Sequence, residues 1–155
     1  MRTILALDLG SKLGWAMQQH GAVASGTVQF KPGRFEGGGM MWVRFTAWIC
    51  SIPKPDAVYF EEVRRHAGTT AAHVYGGFLA HLTGWCEHNG VPYASIPVGT
   101  IKRHATGKGN AGKPAMIAAM RAKGYRPADD NEADALAILH CALETMEPTS
   151  ERSAA

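Results

Sequence analysis

Turn signals at Asp8-Leu9-Gly10-Ser11 and Gln19-His20-Gly21 cut the first thirty residues into short apolar-rich runs, Thr3 to Asp8, Gly14 to Gln18 and Ala22 to Phe30. Runs this short, joined by turns this tight, fold as an antiparallel meander of three strands. The remainder must then supply the layers that cover it.

It does so by alternation. Lys31 to Gly39 is a Pro/Gly-rich loop, after which Met41, Phe45, Trp48 and Ile52 recur at helical spacing within Met40 to Ile52. Pro53 and Pro55 stop that helix. Ala57 to Val63 reads as a fourth strand, Thr69 to Asn89 as a long helix closed by Gly90, and Val91 to Ile96 as a fifth strand. A short helix over Val98 to His104, a Gly-rich loop over Thr106 to Gly112, and helices over Lys113 to Lys123 and Asp130 to Met146 complete the chain. A hairpin meander followed by alternating strands and helices implies an α/β fold, with a five-stranded mixed sheet and helices on both faces. The crossover helices make strands one, four and five parallel neighbours, with the first and fourth in the sheet centre.

The length of 155 residues suits one domain with one core, expected over 1–147, with the small polar run 148–155 as a flexible tail. Cys50, Cys86 and Cys141 lie in apolar helical stretches with no CxxC pair, so they read as buried free thiols in a reducing compartment. The N-terminal apolar run is too short for a signal peptide, and no run of about 18 apolar residues exists to span a membrane. The expected location is the cytoplasm.

The net charge of +3 is too small to mark a polyanion binder, but its distribution is informative. Bases gather at Arg64, Arg65 and His66, at Lys102, Arg103 and His104, and at Lys108 and Lys113. Acids gather at Glu61 and Glu62 and from Asp129 to Asp134. Asp8 ends the first strand, Glu61 and Glu62 end the fourth, and Asp130, Glu132 and Asp134 open the last helix, so the topology brings these acids to one sheet edge. Carboxylates so gathered repel unless a cation joins them, and their oxygens suit Mg²⁺ or Mn²⁺. Two such ions about 3.5–4 Å apart can clamp a phosphodiester. Asp129 and Glu132 also have capping-box spacing, so one of them can serve as a cap.

The Gly-rich stretch 106–112 can cradle phosphate through its amides, but it lacks the ending of a nucleotide-binding P-loop, and no nucleotide cofactor is expected. His66 and His104 stand in basic clusters and are candidates to touch a bound polyanion. His73, His81 and His88 follow helical spacing and read as surface or interface residues. Trp42, Trp48 and Trp85 read as core or interface. Ala72, Gly76, Ala80 and Gly84 form a small face on the long helix that invites close helix packing, within the chain or between copies.

Four segments carry a resemblance. LALDLGSKLGWA at 5–16, YFEEV at 59–63, Lys102 before the loop TGKGNAGK, and DDNEADALAIL at 129–139 are similar, in order and spacing, to the motifs of RuvC-like Holliday junction resolvases. The resemblance runs from Thr3 to about Leu143. It implies a ribonuclease H-like fold and a homodimeric endonuclease that cuts branched DNA, leaving a 5′-phosphate and a 3′-hydroxyl. It implies two Mg²⁺ ions per site, with Mn²⁺ a substitute, held by Asp8, Glu61 and Asp134. The fourth ligand position is Asn131, where the family carries Asp or His, and Asp130 or Glu132 are the alternatives. Lys102 and Lys113 match the basic residues beside the scissile phosphate, while Arg64, Arg65, Arg103 and Lys108 supply further DNA contacts. Members of the family often carry an aromatic residue just after the Glu-x-Val; here Arg64 and Arg65 follow Val63, which suggests a broader branched-DNA preference. A catalytically weakened branched-DNA-binding protein and a YqgF-like nuclease acting on RNA are the alternatives. The first phosphate loop of sugar kinases and actin-like ATPases is also similar to DLGSKLGWA, but that fold needs two such domains.

Overall fold

The computed structural model describes residues 2–147, so the expected tail at 148–155 lies outside the described residues. The elements are β1 (Ile4–Asp8), β2 (Lys12–Gln19), β3 (Ala22–Gln29), α1 (Met40–Ser51), β4 (Ala57–Glu62), α2 (Thr69–Asn89), β5 (Tyr93–Pro97), α3 (Val98–Thr106), α4 (Lys113–Ala122) and α5 (Asp130–Thr145). They form one five-stranded sheet in the order β3-β2-β1-β4-β5. β1 pairs antiparallel with β2 and parallel with β4, β2 pairs antiparallel with β3, and β4 pairs parallel with β5. The mixed sheet expected from the sequence is thus present, strand for strand.

The fifth strand begins later than its apolar pattern suggests. Pro92 has no N–H to give the ladder, so pairing starts at Tyr93, while the Pro92 carbonyl accepts from Val58 N–H at 2.9 Å. Val91 is nevertheless buried, as a core residue just outside the strand.

Two apolar layers flank the sheet. Leu5, Leu7, Val58 and Phe60 face α1 and α2 in a layer built around Phe30, Phe45 and Phe78. Ile4, Ala6, Ala57 and Tyr59 face α5 and the shorter helices α3 and α4. Strand alternation therefore assigns odd and even residues of β1 to opposite layers. α5 is buried nearly all round through Ala133, Ala135, Leu136, Ala137, Ile138, Leu139, Cys141 and Ala142. A helix apolar on every side belongs in a core, and its alanines let it lie close to the sheet.

The thiol expectation needs one correction. Cys86 and Cys141 are buried, but Cys50 is exposed, because it falls on the solvent side of α1 directly after the buried Ile49. The tryptophans at 42, 48 and 85 are half-buried against the α1–α2 layer. His73, His81 and His88 are exposed, with His81 stacked on Trp42 at 5.1 Å between ring centroids.

Candidate active site

The register of β1 and β4 determines which acids can meet. Leu7 pairs with Phe60, so Asp8 and Glu61 follow side by side one step further along the parallel pair. Both continue the alternation of Ala6 and Tyr59, whose side chains belong to the α5 layer. Glu62 belongs to the opposite alternation, and its carboxylate pairs with Arg64 at 2.9 Å. Of the two adjacent glutamates, Glu61 is the one that faces the helix carrying Asp134.

The start of α5 is fixed from several directions. Asp129 is its N-cap and accepts from Glu132 N–H at 2.9 Å, and also from Thr27 Oγ1 on β3 at 2.8 Å. Glu132 accepts from Ala128 N–H and from Ser25 Oγ, each at 2.8 Å. Asp129 therefore caps the helix, a contact worth about 1 kcal/mol, while Glu132 reaches back one residue past the N-cap to Ala128 N–H instead of closing the box on Asp129 N–H. Glu132, one alternative for the fourth ligand position, is turned toward β3. Gly14 lets the first turn of α5 sit close, since a Cβ there would lie 1.9 Å from the Asn131 carbonyl oxygen.

Electrostatics bind the acids into one group. Burial, with added repulsion from Asp134, Glu61, Asp130 and Asp129, pushes the Asp8 carboxyl up to about 8. Burial and Asp134 push Glu61 up to about 7, against the downward pull of Lys102. Burial and Asp130 raise Asp134 to about 6, opposed by Lys102 and Lys113. Repulsion of this kind operates between neighbours. Yet among the described residues no three His, Cys, Asp or Glu side chains converge closely enough to hold an ion as they stand. The donor set is nonetheless all carboxylate oxygen, which suits a hard divalent cation, and neutralising the shared charge is what these side chains lack. The residues fit such an ion by chemistry, with side-chain convergence needed on binding.

The bases lie around this group. Lys102 lines a small cleft with Glu61 and Asp134, floored by Val98, Ile101, Met116 and Ile138. Lys113, at the start of α4, pairs with Asp130 at 3.4 Å. A wider cleft of about 410 Å³ adjoins Glu61 and is lined by Val63, Arg64, Arg65, Pro97, Val98 and Gly99 among others. Arg103 and Lys108 are exposed on α3 and the loop after it. His104 does not join them: its Nε2 meets Glu144 at 2.8 Å and its ring is largely covered, so the expectation that it touches a bound polyanion is corrected. Helical periodicity turns it to the α5 side of α3.

One contributor carries no sequence signal. Tyr75 of α2 donates its hydroxyl to the Glu61 carbonyl at 2.8 Å, steadying the end of β4. Its role depends on where α2 crosses the sheet edge, which residue type and spacing do not reveal.

No protein-family model matches the sequence, and no curated protein matches it. Solved structures do. Thermus thermophilus RuvC in complex with a Holliday junction substrate is 23% identical with a TM-score of 0.75, covering 92% of this chain and 93% of its own. A second T. thermophilus RuvC structure is 23% identical with a TM-score of 0.69, covering 91% and 93%. The yeast mitochondrial Holliday junction resolvase Ydc2 is 11% identical with a TM-score of 0.62, covering 89% and 76%. The sheet order, the helix layers and these likenesses together establish a ribonuclease H-like fold of the kind found in RuvC.

Proposed function

We propose that this chain is a metal-dependent, structure-selective DNA endonuclease that resolves Holliday junctions or related branched DNA by hydrolysing phosphodiester bonds. The observation that carries the proposal is the gathering of Asp8, Glu61 and Asp134 at one sheet edge, half-buried and mutually repelling, with Lys102 and Lys113 beside them. Similarity to a RuvC solved with a Holliday junction substrate supports branched DNA as the substrate class.

Asp8, Glu61 and Asp134 would hold two Mg²⁺ ions, for which Mn²⁺ substitutes, and Asp130 or Asn131 would complete the set. When bound, the ions supply Lewis-acid charge to the phosphodiester. Lys102 and Lys113 hold the scissile phosphate and balance its growing negative charge. Arg64, Arg65, Arg103 and Lys108 bind flanking phosphates, which makes affinity fall steeply with salt. Residues 1–147 act as one nuclease domain, in the cytoplasm.

The functional unit is a homodimer, so that two sites can cut two strands of one junction. The small face of α2 supports this. Gly76 and Gly84 have nothing within 4 Å of a Cβ position, so the face is not spent on a contact within the chain. The close intrachain contact falls one residue away, where Gly77 meets the Trp42 ring at 2.2 Å from a Cβ position.

A labelled four-way junction, a Y-fork, a linear duplex and a structured RNA, each incubated with Mg²⁺ or EDTA, test the proposal. Symmetric, metal-dependent nicks in the junction are expected, and they should vanish in Asp8→Asn. Tight binding of the junction with no cutting in any divalent cation would instead favour the catalytically weakened DNA-binding protein. Preferential cutting of the RNA would favour the RNA nuclease.

A further inference from the structure

We propose that Arg34 and Phe35, at the tip of the β3–α1 loop, form a stacking wedge that engages an exposed nucleobase at the branch point of the DNA; this rests on the branched-DNA reading above. Phe35 is 94% exposed, the most exposed large apolar side chain among the described residues. A single exposed apolar residue is ordinary on a protein surface. The way this one is held is not.

The turn that carries it is closed twice. Glu36 N–H donates to the Gly33 carbonyl at 3.1 Å, and Gly33 N–H donates to Glu36 Oε1 at 2.7 Å. These two bonds fix Arg34 and Phe35 as the central residues of a four-residue turn. The same Glu36 carboxylate is tied to α1 by Arg44 at 2.5 Å. A Cβ on Gly33 would lie 2.9 Å from Glu36 Oε1, so the carboxylate closes tightly over the Gly33 backbone. These bonds hold the backbone of the turn, and the phenyl ring stands in water at its tip. A turn held before binding lowers the ordering cost of a stacking contact made from its tip.

Position and charge point to nucleic acid. β3 runs antiparallel to β2 and β2 antiparallel to β1, so the end of β3 lies at the same sheet edge as Asp8. Phe30 N–H donates to the Ser11 carbonyl at 2.7 Å, rooting the loop beside the turn that follows Asp8. The Arg34 guanidinium stands 5.4 Å from the Phe35 ring centroid, and Lys31 precedes the turn. A ring flanked by cations and facing solvent suits a base with its phosphate, since every base offers a π-face to stack on. In an unbroken duplex the bases are already stacked on each other. At a branch point the terminal pairs expose a face, so the wedge favours branched DNA over linear DNA.

The test uses the full chain in EDTA, with a four-way junction carrying 2-aminopurine at the branch point and a linear duplex of matched sequence. Wild type should change the 2-aminopurine fluorescence on binding. Phe35→Ala should abolish that change and weaken junction binding by roughly ten-fold, leaving duplex affinity and melting temperature unaltered. Phe35→Trp should restore both signals. Equal junction affinity and fluorescence for wild type and Phe35→Ala would overturn the wedge alone, whatever the cutting assay gives. A fluorescence change lost in Phe35→Ala, in a protein that cuts nothing, would uphold the wedge while the nuclease proposal fails. A Phe35→Ala variant that changes oligomeric state instead of junction binding would assign the ring to a protein contact and overturn the inference. A wild type that binds no branched DNA would overturn it together with the branched-DNA reading.

Discussion

Gly14 and Asn131 meet backbone to backbone, with room for only a hydrogen on Gly14. Gly14 lies opposite Asp8 in the β1–β2 ladder, so this contact sets how closely the first turn of α5 approaches the strand that carries Asp8. Gly14→Ala must push α5 outward. The expected result is a loss of about 1–3 kcal/mol of stability and a large drop in junction cutting, measured by denaturant unfolding and by a single-turnover assay. Gly76→Ala is the control. Within the single chain it faces open space on a helix, where alanine gains about 0.5–1 kcal/mol over glycine, so its unfolding free energy should rise where that of Gly14→Ala falls.

The Asp8 carboxyl is raised from 3.8 to about 8, so the folded state holds a proton that the unfolded chain gives up at lower pH. The stability linked to this group is complete below the unfolded value and is lost as pH rises toward about 8. Without divalent cation, Asp8→Asn should therefore melt several degrees above wild type at pH 8, with the gap narrowing toward pH 5. Added Mg²⁺ should raise the melting temperature of wild type far more than that of Asp8→Asn, since a ligand that binds only the folded state stabilises it. Scanning calorimetry across pH, with and without Mg²⁺, measures both effects. Identical melting curves for the two proteins at pH 8 would contradict the repulsion described here.

The fourth ligand position separates by variant. Glu132→Gln disturbs the bonds to Ser25 and Ala128, so its main effect should be on stability, with Mg²⁺ affinity close to wild type. Asp130 repels both Asp8 and Asp134, and Asp130→Asn should weaken Mg²⁺ binding if it serves as the ligand. Asn131→Asp should strengthen Mg²⁺ binding if position 131 does. Titration calorimetry of the three variants, read against wild type, assigns the position without reference to cutting.

Ala80 lies between Gly76 and Gly84 on the exposed small face of α2. Ala80→Arg puts a long cation on that face and should convert the proposed dimer into a monomer in sedimentation velocity, with no loss of secondary structure. A dimer that survives the change must use another surface.

The strand order and the three-element origin of the acid group were legible because turn residues punctuate every short run and because Asp8, Glu61 and Asp134 stand where apolar periodicity ends. The choice between Glu61 and Glu62 follows from strand alternation once the register is known. Other features depended on neighbours distant in sequence. Pro92 displaced the start of β5 by lacking a donor. Cys50 is exposed because a helix turned solvent-ward one residue past Ile49. His104 joined Glu144, which lies 40 residues further along the chain. The 31–39 segment reads as a plain Pro/Gly-rich loop, and nothing in its composition discloses a turn that Glu36 locks from both sides.

α5 packs against β1, β2, β3 and β4 as well as α3 and α4, so most of one face of the sheet closes on a single helix near the end of the described chain. During synthesis the strands and their acids emerge before it. A nascent chain that has not yet released residues 130–145 lacks both the apolar filling of that layer and the carboxylate of Asp134. The acid group therefore cannot assemble ahead of the core, and a truncated translation product would be unfolded on that side and without the site proposed above for cutting DNA.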